Sequence, residues 1–493
     1  MSETASPGKT PMSYWIHTAV YLLLTFGMGY IPSDSIPPLG MSVLGIFIGM
    51  LYGWTFIGFI WPSMTSIFAL GVCGFFPTPQ AAFSNAFSNQ VVIFMLLILV
   101  FTGYFERSGI NKKLAIWFLS RPSVEGRPWF FTFMVFIATL IVGFLLDGNA
   151  VNILIWNLLY GIFKEVDYRE GDTYPAYLCA GVSFAAALSY GAKPWGAQNI
   201  MAAGALQSVA GGGFDFNYVQ FMSVSIPVCF AFLMGYFIVV KYVFKPDVNK
   251  LTSLSQDYLQ QLRDNLALNK KEKIAATALI VFVLALLLIN ILPSSSGGFL
   301  GMITKGNFLS ALIVVLIALN FSRFEGAPVL DFDPCAQHGI RWNIFWLNAA
   351  ALPVSAAFSS DAAGITKWFG LMMSGSFGDV GSVIPFVIGI AILFMLATQV
   401  AFNMTLVVIA VPIVWQICQG LQVNPMAVII FILMGISCSI ATPAASSNAA
   451  IMFSNVEWIG MTRSFKAGFS AVLVGLLILV CVAYPLVSFF YGF

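Results

Sequence analysis

Asn149 and Asn403 lie in short polar interruptions of apolar sequence, about 250 residues apart, and neighbouring landmarks recur in one order at nearly the same offset, the mark of an internal duplication. The first interruption reads Leu146-Asp147-Gly148-Asn149-Ala150-Val151-Asn152. A second break follows it at Ser189-Tyr190-Gly191-Ala192-Lys193-Pro194-Trp195-Gly196-Ala197-Gln198-Asn199. The order recurs as Val400-Ala401-Phe402-Asn403-Met404-Thr405 and then Ser439-Ile440-Ala441-Thr442-Pro443-Ala444-Ala445-Ser446-Ser447-Asn448. Side-chain amides donate and accept hydrogen bonds, and Ser189, Ser439, Thr442, Ser446 and Ser447 add hydroxyls. Helices broken inside a bilayer expose backbone groups: half-helix N-termini favour anions and free carbonyls favour cations. Such chemistry is reversible binding of a small charged solute. No HExxH, paired intramembrane carboxylates or Ser/His arrangement appears, so an enzyme is not expected.

Asp147 and Lys193 sharpen the picture. Ionisable residues inside a membrane are costly and usually functional. Two readings stand side by side. The pair could staple the first break to the second, or the Lys193 ammonium could contact an anion or stand where a coupling ion would bind, with Asp147 holding it. The second half offers only Gln399 and hydroxyls at the matching positions. His17 and His338 are expected at interfaces, and Glu106-Arg107 at the cytoplasmic end of a helix. Asp331, Asp333 and Cys335 are expected in a solvated polar loop.

The elements that position these residues are membrane helices. The chain is 59% hydrophobic and 9% charged, with mean hydropathy +0.90, against about 25% charged in soluble proteins. Spans of bilayer length are expected at 15–33, 39–53, 55–76, 90–106, 217–243, 273–292, 299–322, 342–359 and 467–491, with 77–89 a loop. Broken helices are expected at 174–210 and 424–455. The stretch 114–119 is too short to span and is expected at the interface. The seven cysteines show no CxxC and read as packing residues. No basic tract points to nucleic acid, and no cleavable signal is expected.

Segment 127–163 could be one span or a re-entrant hairpin with its tip at Asp147-Gly148-Asn149. Loops 107–127 and 241–273 are both basic, so both are expected in the cytoplasm. An even number of crossings must separate them, which selects the hairpin. The second half repeats the plan, with a hairpin at 375–419. The expected fold is an all-α polytopic membrane protein with about eleven transmembrane helices and two re-entrant hairpins in two inverted repeats. This divides the chain into a cytoplasmic tail 1–12, a first half 13–245, a linker 246–272 and a second half 273–493. The N-terminus is then cytoplasmic and the C-terminus extracytoplasmic, in the cell (inner or plasma) membrane. Nineteen of the 22 Lys and Arg fall on the cytoplasmic side, Arg341 among them. Lys305 and Lys367 fall outside, and Lys193 within the membrane. A third pair of landmarks supports the duplication: Phe105-Glu106-Arg107-Ser108-Gly109-Ile110 resembles Phe358-Ser359-Ser360-Asp361-Ala362-Ala363-Gly364-Ile365.

The stretch from Val92-Ile93-Phe94 through Glu106-Arg107-Ser108-Gly109-Ile110-Asn111-Lys112-Lys113-Leu114-Ala115 resembles the span and amphipathic helix before the first hairpin of divalent anion/sodium symporters, the di- and tricarboxylate carriers. The order of hairpins and broken helices resembles that family over residues 35–490. The resemblance implies an elevator-type transporter, a homodimer held by a scaffold domain, dicarboxylate substrates such as succinate, and Na⁺ as coupling ion with no other cofactor. It also implies a Ser-Asn-Thr signature at each hairpin tip. Here the signatures read Gly148-Asn149-Ala150 and Phe402-Asn403-Met404, so only the asparagines match. The family's Thr-Pro-Pro-Asn ends read Gly196-Ala197-Gln198-Asn199 and Ala445-Ser446-Ser447-Asn448.

The expected substrate contacts are therefore Gly148, Asn149, Ala150, Lys193, Asn403, Met404, Thr405, Ser446, Ser447 and Asn448. Asp147, Asn149, Gly191, Lys193, Asn199, Ala401, Asn403 and Thr442 are the expected ion-binding or ion-replacing positions, with Lys193 replacing one sodium. The expected function is secondary transport of small organic anions, C4-dicarboxylates first, with weak or absent sodium dependence or by exchange. The alternative is a cation/proton antiporter of the same superfamily that uses Asp147 and Lys193.

Overall fold

The computed structural model describes residues 12–210, 216–254, 260–261, 263–264, 266–291, 307–365, 368 and 383–493. The tail through residue 11, Lys305, Lys367 and the start of the second expected hairpin lie outside the described residues. The fold is all-α. Among the described residues the only strands are the short antiparallel pair Arg323–Phe324 and Ala327–Pro328. Six helices among the described residues are long and apolar enough to cross a membrane, and shorter apolar helices accompany them.

In the first half, α1 (Met12–Leu22) continues through tighter and wider turns to Tyr30. There follow α2 (Pro38–Phe56), α3 (Ile60–Val72), α4 (Pro79–Ser88), α5 (Gln90–Ser108) and α6 (Ile110–Leu119). Next come α7 (Pro128–Leu145), α8 (Gly148–Glu165), α9 (Thr173–Ala192), α10 (Ala197–Ala210) and α11 (Tyr218–Val239). The second half contains α12 (Lys270–Ile291), α13 (Asn307–Phe321), α14 (Phe332–Gly339) and α15 (Trp342–Ser359). It ends with α16 (Val383–Ala397), α17 (Asn403–Leu421), α18 (Pro425–Ser437), α19 (Ser447–Ser454), α20 (Met461–Ile478) and α21 (Tyr484–Tyr491).

Two helices form the core. Every residue of α9 from Tyr174 to Ser189 is buried, and so is every residue of α18 from Ala427 to Ser437. A helix apolar on all sides belongs in an interior. α7 and α8 pack on α9, while α16 and α17 pack on α18. The short helices after each break cross over: α10 packs on α17, and α19 packs on α8 and α9. Each half therefore supports the hairpin of the other. The duplication also shows in the backbone. Gly109 ends α5 in the left-handed conformation with φ +76, a frequent way to end a helix, and Gly364, its counterpart in the second half, also has a positive φ, +64, in the turn after α15.

The arms α7 and α8 each have 18 residues, or about 27 Å at 1.5 Å per residue. They leave one face of the molecule and return to it. On that face Lys113 pairs with Glu272 at 2.6 Å and Lys250 with Asp172 at 3.0 Å. Tyr168 donates to the Asp247 carbonyl at 3.0 Å. The basic loops 107–127 and 241–273 thus meet on a common face.

Two expectations change. The 77–89 loop contains α4: Thr78 Oγ1 accepts from the Ala81 amide at 3.1 Å, and Pro79 starts the helix. Thr-Pro is a helix-start signature, and a search for bilayer-length runs passes over so short a helix. Segment 331–339 is not a solvated loop. Asp331 and Asp333 are exposed, but Cys335 is buried on α14.

α14 lies against α5 through two glycines. A Cβ on Gly339 would stand 2.1 Å from the Leu99 carbonyl oxygen, and one on Gly103 would stand 2.4 Å from that of Cys335. Small residues allow such close backbone approach. Gly339→Ala is expected to destabilise the protein by about 1–3 kcal/mol, as overpacking does. Gly389→Ala, with open space around its Cβ, should leave the thermal midpoint of the purified protein unchanged or raise it.

Candidate substrate cavity

The first hairpin turns at Leu146 and Asp147. Asp147 caps α8, its Oδ1 accepting from the Ala150 amide at 3.0 Å. Its Oδ2 accepts from the Tyr190 hydroxyl at 2.6 Å, and Oδ1 also accepts from Arg341 Nη2 at 2.8 Å. Lys193 is buried. Its ammonium donates to the Gly143 carbonyl at 3.0 Å and to the Leu146 carbonyl, and lies 4.6 Å from the centre of the Tyr190 ring. The expected Asp147–Lys193 staple is therefore replaced by two separate bonds. Lys193 neutralises the exposed carbonyls that end α7, where a cation is favoured. Asp147 pairs with Arg341, which the charge count had placed among the loop cations.

Asn199 closes the first break. Its Nδ2 lies 3.0, 3.1 and 2.8 Å from the carbonyls of Tyr190, Gly191 and Lys193. Gln399 does the equivalent work in the second half. Its Nε2 donates to the carbonyls of Met395 and Cys438 at 2.8 and 2.9 Å. Its Oε1 accepts from the amides of Ile440 and Ala441 at 3.3 and 3.0 Å. Thr442 donates to the Gln399 carbonyl. Unpaired backbone groups in an apolar interior cost several kcal/mol each, and these side chains remove that cost.

Between the tips and the breaks lies a cavity of about 550 Å³. Arg341 and the amides and hydroxyls of residues such as Asn149, Gln198, Asn403, Ser446, Ser447 and Asn448 supply its polar wall. Phe59, Trp342, Leu347, Phe402 and Met404 supply apolar wall, with Phe59 and Phe402 rings 5.6 Å apart. Two bridges at the cavity wall pair matching positions of the two halves. Asn403 Nδ2 donates to Gln198 Oε1 at 3.1 Å, and Ser447 Oγ donates to Asn149 Oδ1 at 2.9 Å. These bridges exchange under the duplication, because Asn403 matches Asn149 and Ser447 matches Gln198. Asn152 adds a third, donating to Asn448 Oδ1 at 3.2 Å.

Residues 42–430 match the family model described as citrate transporter. The chain belongs to the citrate transporter family. It is a multi-pass membrane transporter, consistent with the superfamily resemblance. A similar protein is the uncharacterized transporter sll0640 of Synechocystis sp. (strain ATCC 27184 / PCC 6803 / Kazusa), 27% identical over 185 residues. The match spans 36% of this chain and a quarter of that relative's length.

Within this family member, Asn149, Asn403, Met404, Ser446, Ser447 and Asn448 line the cavity. Gly148, Ala150, Lys193 and Thr405 do not line it. A Cβ on Gly148 would stand 2.6 Å from the Ala186 carbonyl, so this glycine permits tip-to-α9 packing. Ala150 offers its amide to Asp147, and Thr405 is buried. Gly191, Asn199, Ala401 and Thr442 belong to the framework behind the cavity. Arg341, Tyr190 and Gln198 also line the cavity, and none of them is an expected contact. Gln198 is signalled by its position opposite Ser447 in the duplication. Nothing in the sequence pattern marks Arg341.

A sodium site needs converging oxygens free to coordinate. Here Lys193 takes the Gly143 and Leu146 carbonyls, Asn199 takes those of Tyr190, Gly191 and Lys193, and Gln399 takes those of Met395 and Cys438. Asn199 Oδ1 is the one side-chain oxygen of this first break that is buried without a partner among the described residues, so most of the carbonyls a cation would use already accept from side chains. Gln399→Ala would take the side-chain partner from two carbonyls and two amides, at about 1–3 kcal/mol per buried group left unpaired. It is expected to lower the thermal midpoint of the detergent-purified protein sharply. Gln337→Ala, on the exposed face of α14, should stay within about 0.5 kcal/mol of the parent.

Proposed function

We propose that the protein is a secondary transporter of small organic anions of the citrate and C4-dicarboxylate class. The observation that carries this reading is the cavity between the two tips and two breaks. Its polar wall consists of amides, hydroxyls and one arginine, with no acidic side chain among the described residues. Asn149 and Asn403, with Ser446 and Ser447, hold the anion. Transport proceeds by an elevator motion that carries the hairpins and broken helices past the remaining helices. The protein works as a homodimer in the cell membrane, with the face formed by the basic loops in the cytoplasm.

The cation/proton antiporter reading has less support. Asp147 already accepts from Arg341, Tyr190 and the Ala150 amide, which leaves little capacity for a transported cation. Coupling does not rest on sodium, because Lys193 supplies a tethered positive charge at the carbonyls ending α7. Exchange against an internal anion fits this arrangement.

Uptake of radiolabelled succinate and citrate into proteoliposomes tests the proposal. Uptake is expected with choline in place of Na⁺, and it should rise when unlabelled dicarboxylate is inside. Lys193→Ala is expected to abolish uptake in choline, with added Na⁺ restoring part of it. Sodium-dependent uptake in the parent that persists unchanged in Lys193→Ala would refute the ion-replacement role. Proton release on adding Na⁺, without anion uptake, would favour the antiporter.

A further inference from the structure

Arg341 stands immediately before α15, where the close α5–α14 crossing brings the chain to the tip of the first hairpin. Its side chain is 35% exposed, and it is the only charged residue in the cavity wall among those described. A guanidinium presents five N–H donors in a fixed fork. Asp147 engages Nη2 at 2.8 Å, and Glu106 Oε1 lies 4.0 Å from the same nitrogen. His338 Nε2 lies 3.5 Å from Glu106 Oε2 and so sits on the far side of that acid. Both acids approach Arg341 through one nitrogen, which leaves the rest of the fork for the cavity. Asp147 is fixed independently by the Ala150 amide and the Tyr190 hydroxyl, so it holds the guanidinium from behind.

We propose that Arg341 is the residue that selects carboxylate substrates, gripping one carboxylate of the bound anion through its free N–H groups. This rests on the reading as an organic-anion transporter and names the group that recognises the anion. Asn149, Asn403, Ser446 and Ser447 take the remainder of the molecule, so the substrate bears a second acceptor-rich end. A planar fork matches a carboxylate in two parallel bonds, which a lysine cannot reproduce.

The rival role is purely structural, with Arg341 serving only to balance Asp147. Equilibrium binding of radiolabelled citrate and succinate to the full-length protein in nanodiscs separates the two. Arg341→Met is expected to weaken binding about 100-fold, the range for truncating one partner of a buried charge pair. Arg341→Met/Asp147→Asn removes both charges and so relieves any structural imbalance. It is expected to stay as weak as Arg341→Met while regaining its thermal midpoint. Arg341→Lys should lie between parent and Arg341→Met. Competition by succinate against its monoamide gives a further readout: the parent prefers the diacid, and Arg341→Met loses that preference. Recovery of parental affinity in the double variant, or an unchanged preference in Arg341→Met, would overturn the proposal. Failure of the parent itself to bind either anion would instead overturn the carboxylate reading on which the proposal rests.

Discussion

A backbone that stops being helical inside an apolar interior must have its polar groups answered. Water is not there to do it, and each unanswered group costs several kcal/mol. Four interruptions face this demand: the tips at 146–147 and 398–402 and the breaks at 193–196 and 438–446. Three side chains meet most of it. Lys193 closes the end of α7, Asn199 gathers the carbonyls of the first break, and Gln399 sews the second tip to the second break. These residues tie each tip to its break behind the cavity, whose wall the remaining polar side chains supply.

The charged cluster around the first tip obeys a related constraint. Glu106 and Asp147 balance Arg341 and Lys193, with His338 at the edge. A balanced set avoids leaving a net charge in a poorly solvated place, and losing one member leaves another unpaired. Such a cluster is weak evidence for stability. Its value is geometric, since it fixes one face of a guanidinium and leaves the other to the cavity. The same geometry ties α15, which carries Arg341, to the tip of the first hairpin. Any motion of that hairpin relative to α15 must break or carry the Arg341–Asp147 bond.

The architecture was legible in the sequence wherever two copies of a signal could be compared. Asn149 and Asn403 were found because each validated the other, and both line the cavity. The breaks at Lys193 and Pro443 were found in the same way. Single residues fared worse. Asp147 and Lys193 were paired because they share a half and carry opposite charges, yet the nearer partners were backbone carbonyls and an arginine 194 positions away. Arg341 precedes a long apolar helix, which in sequence is the mark of a membrane boundary. The tertiary contacts that set it beside Asp147, the glycine-to-glycine approach of α14 on α5 just before it among them, leave no periodic trace. α4 was missed because ten residues fall well below the length that a bilayer requires.

The asymmetry between the halves follows from the kind of donor each one uses. An ammonium closes the first tip, and a buried ammonium demands anionic compensation nearby, which Asp147 and Glu106 provide. A neutral amide closes the second tip, and it demands only hydrogen-bond partners, all of which are backbone groups. That is why the second half lacks counterparts of Asp147 and Lys193 although its fold repeats the first. The choice of lysine in one half brings an acid, and the acid brings Arg341. Arg341 thus stands in the cavity wall bonded to the acid that lies beside the closed end of the first hairpin. The paired asparagines alone would have given a polar cavity with no preference for charge.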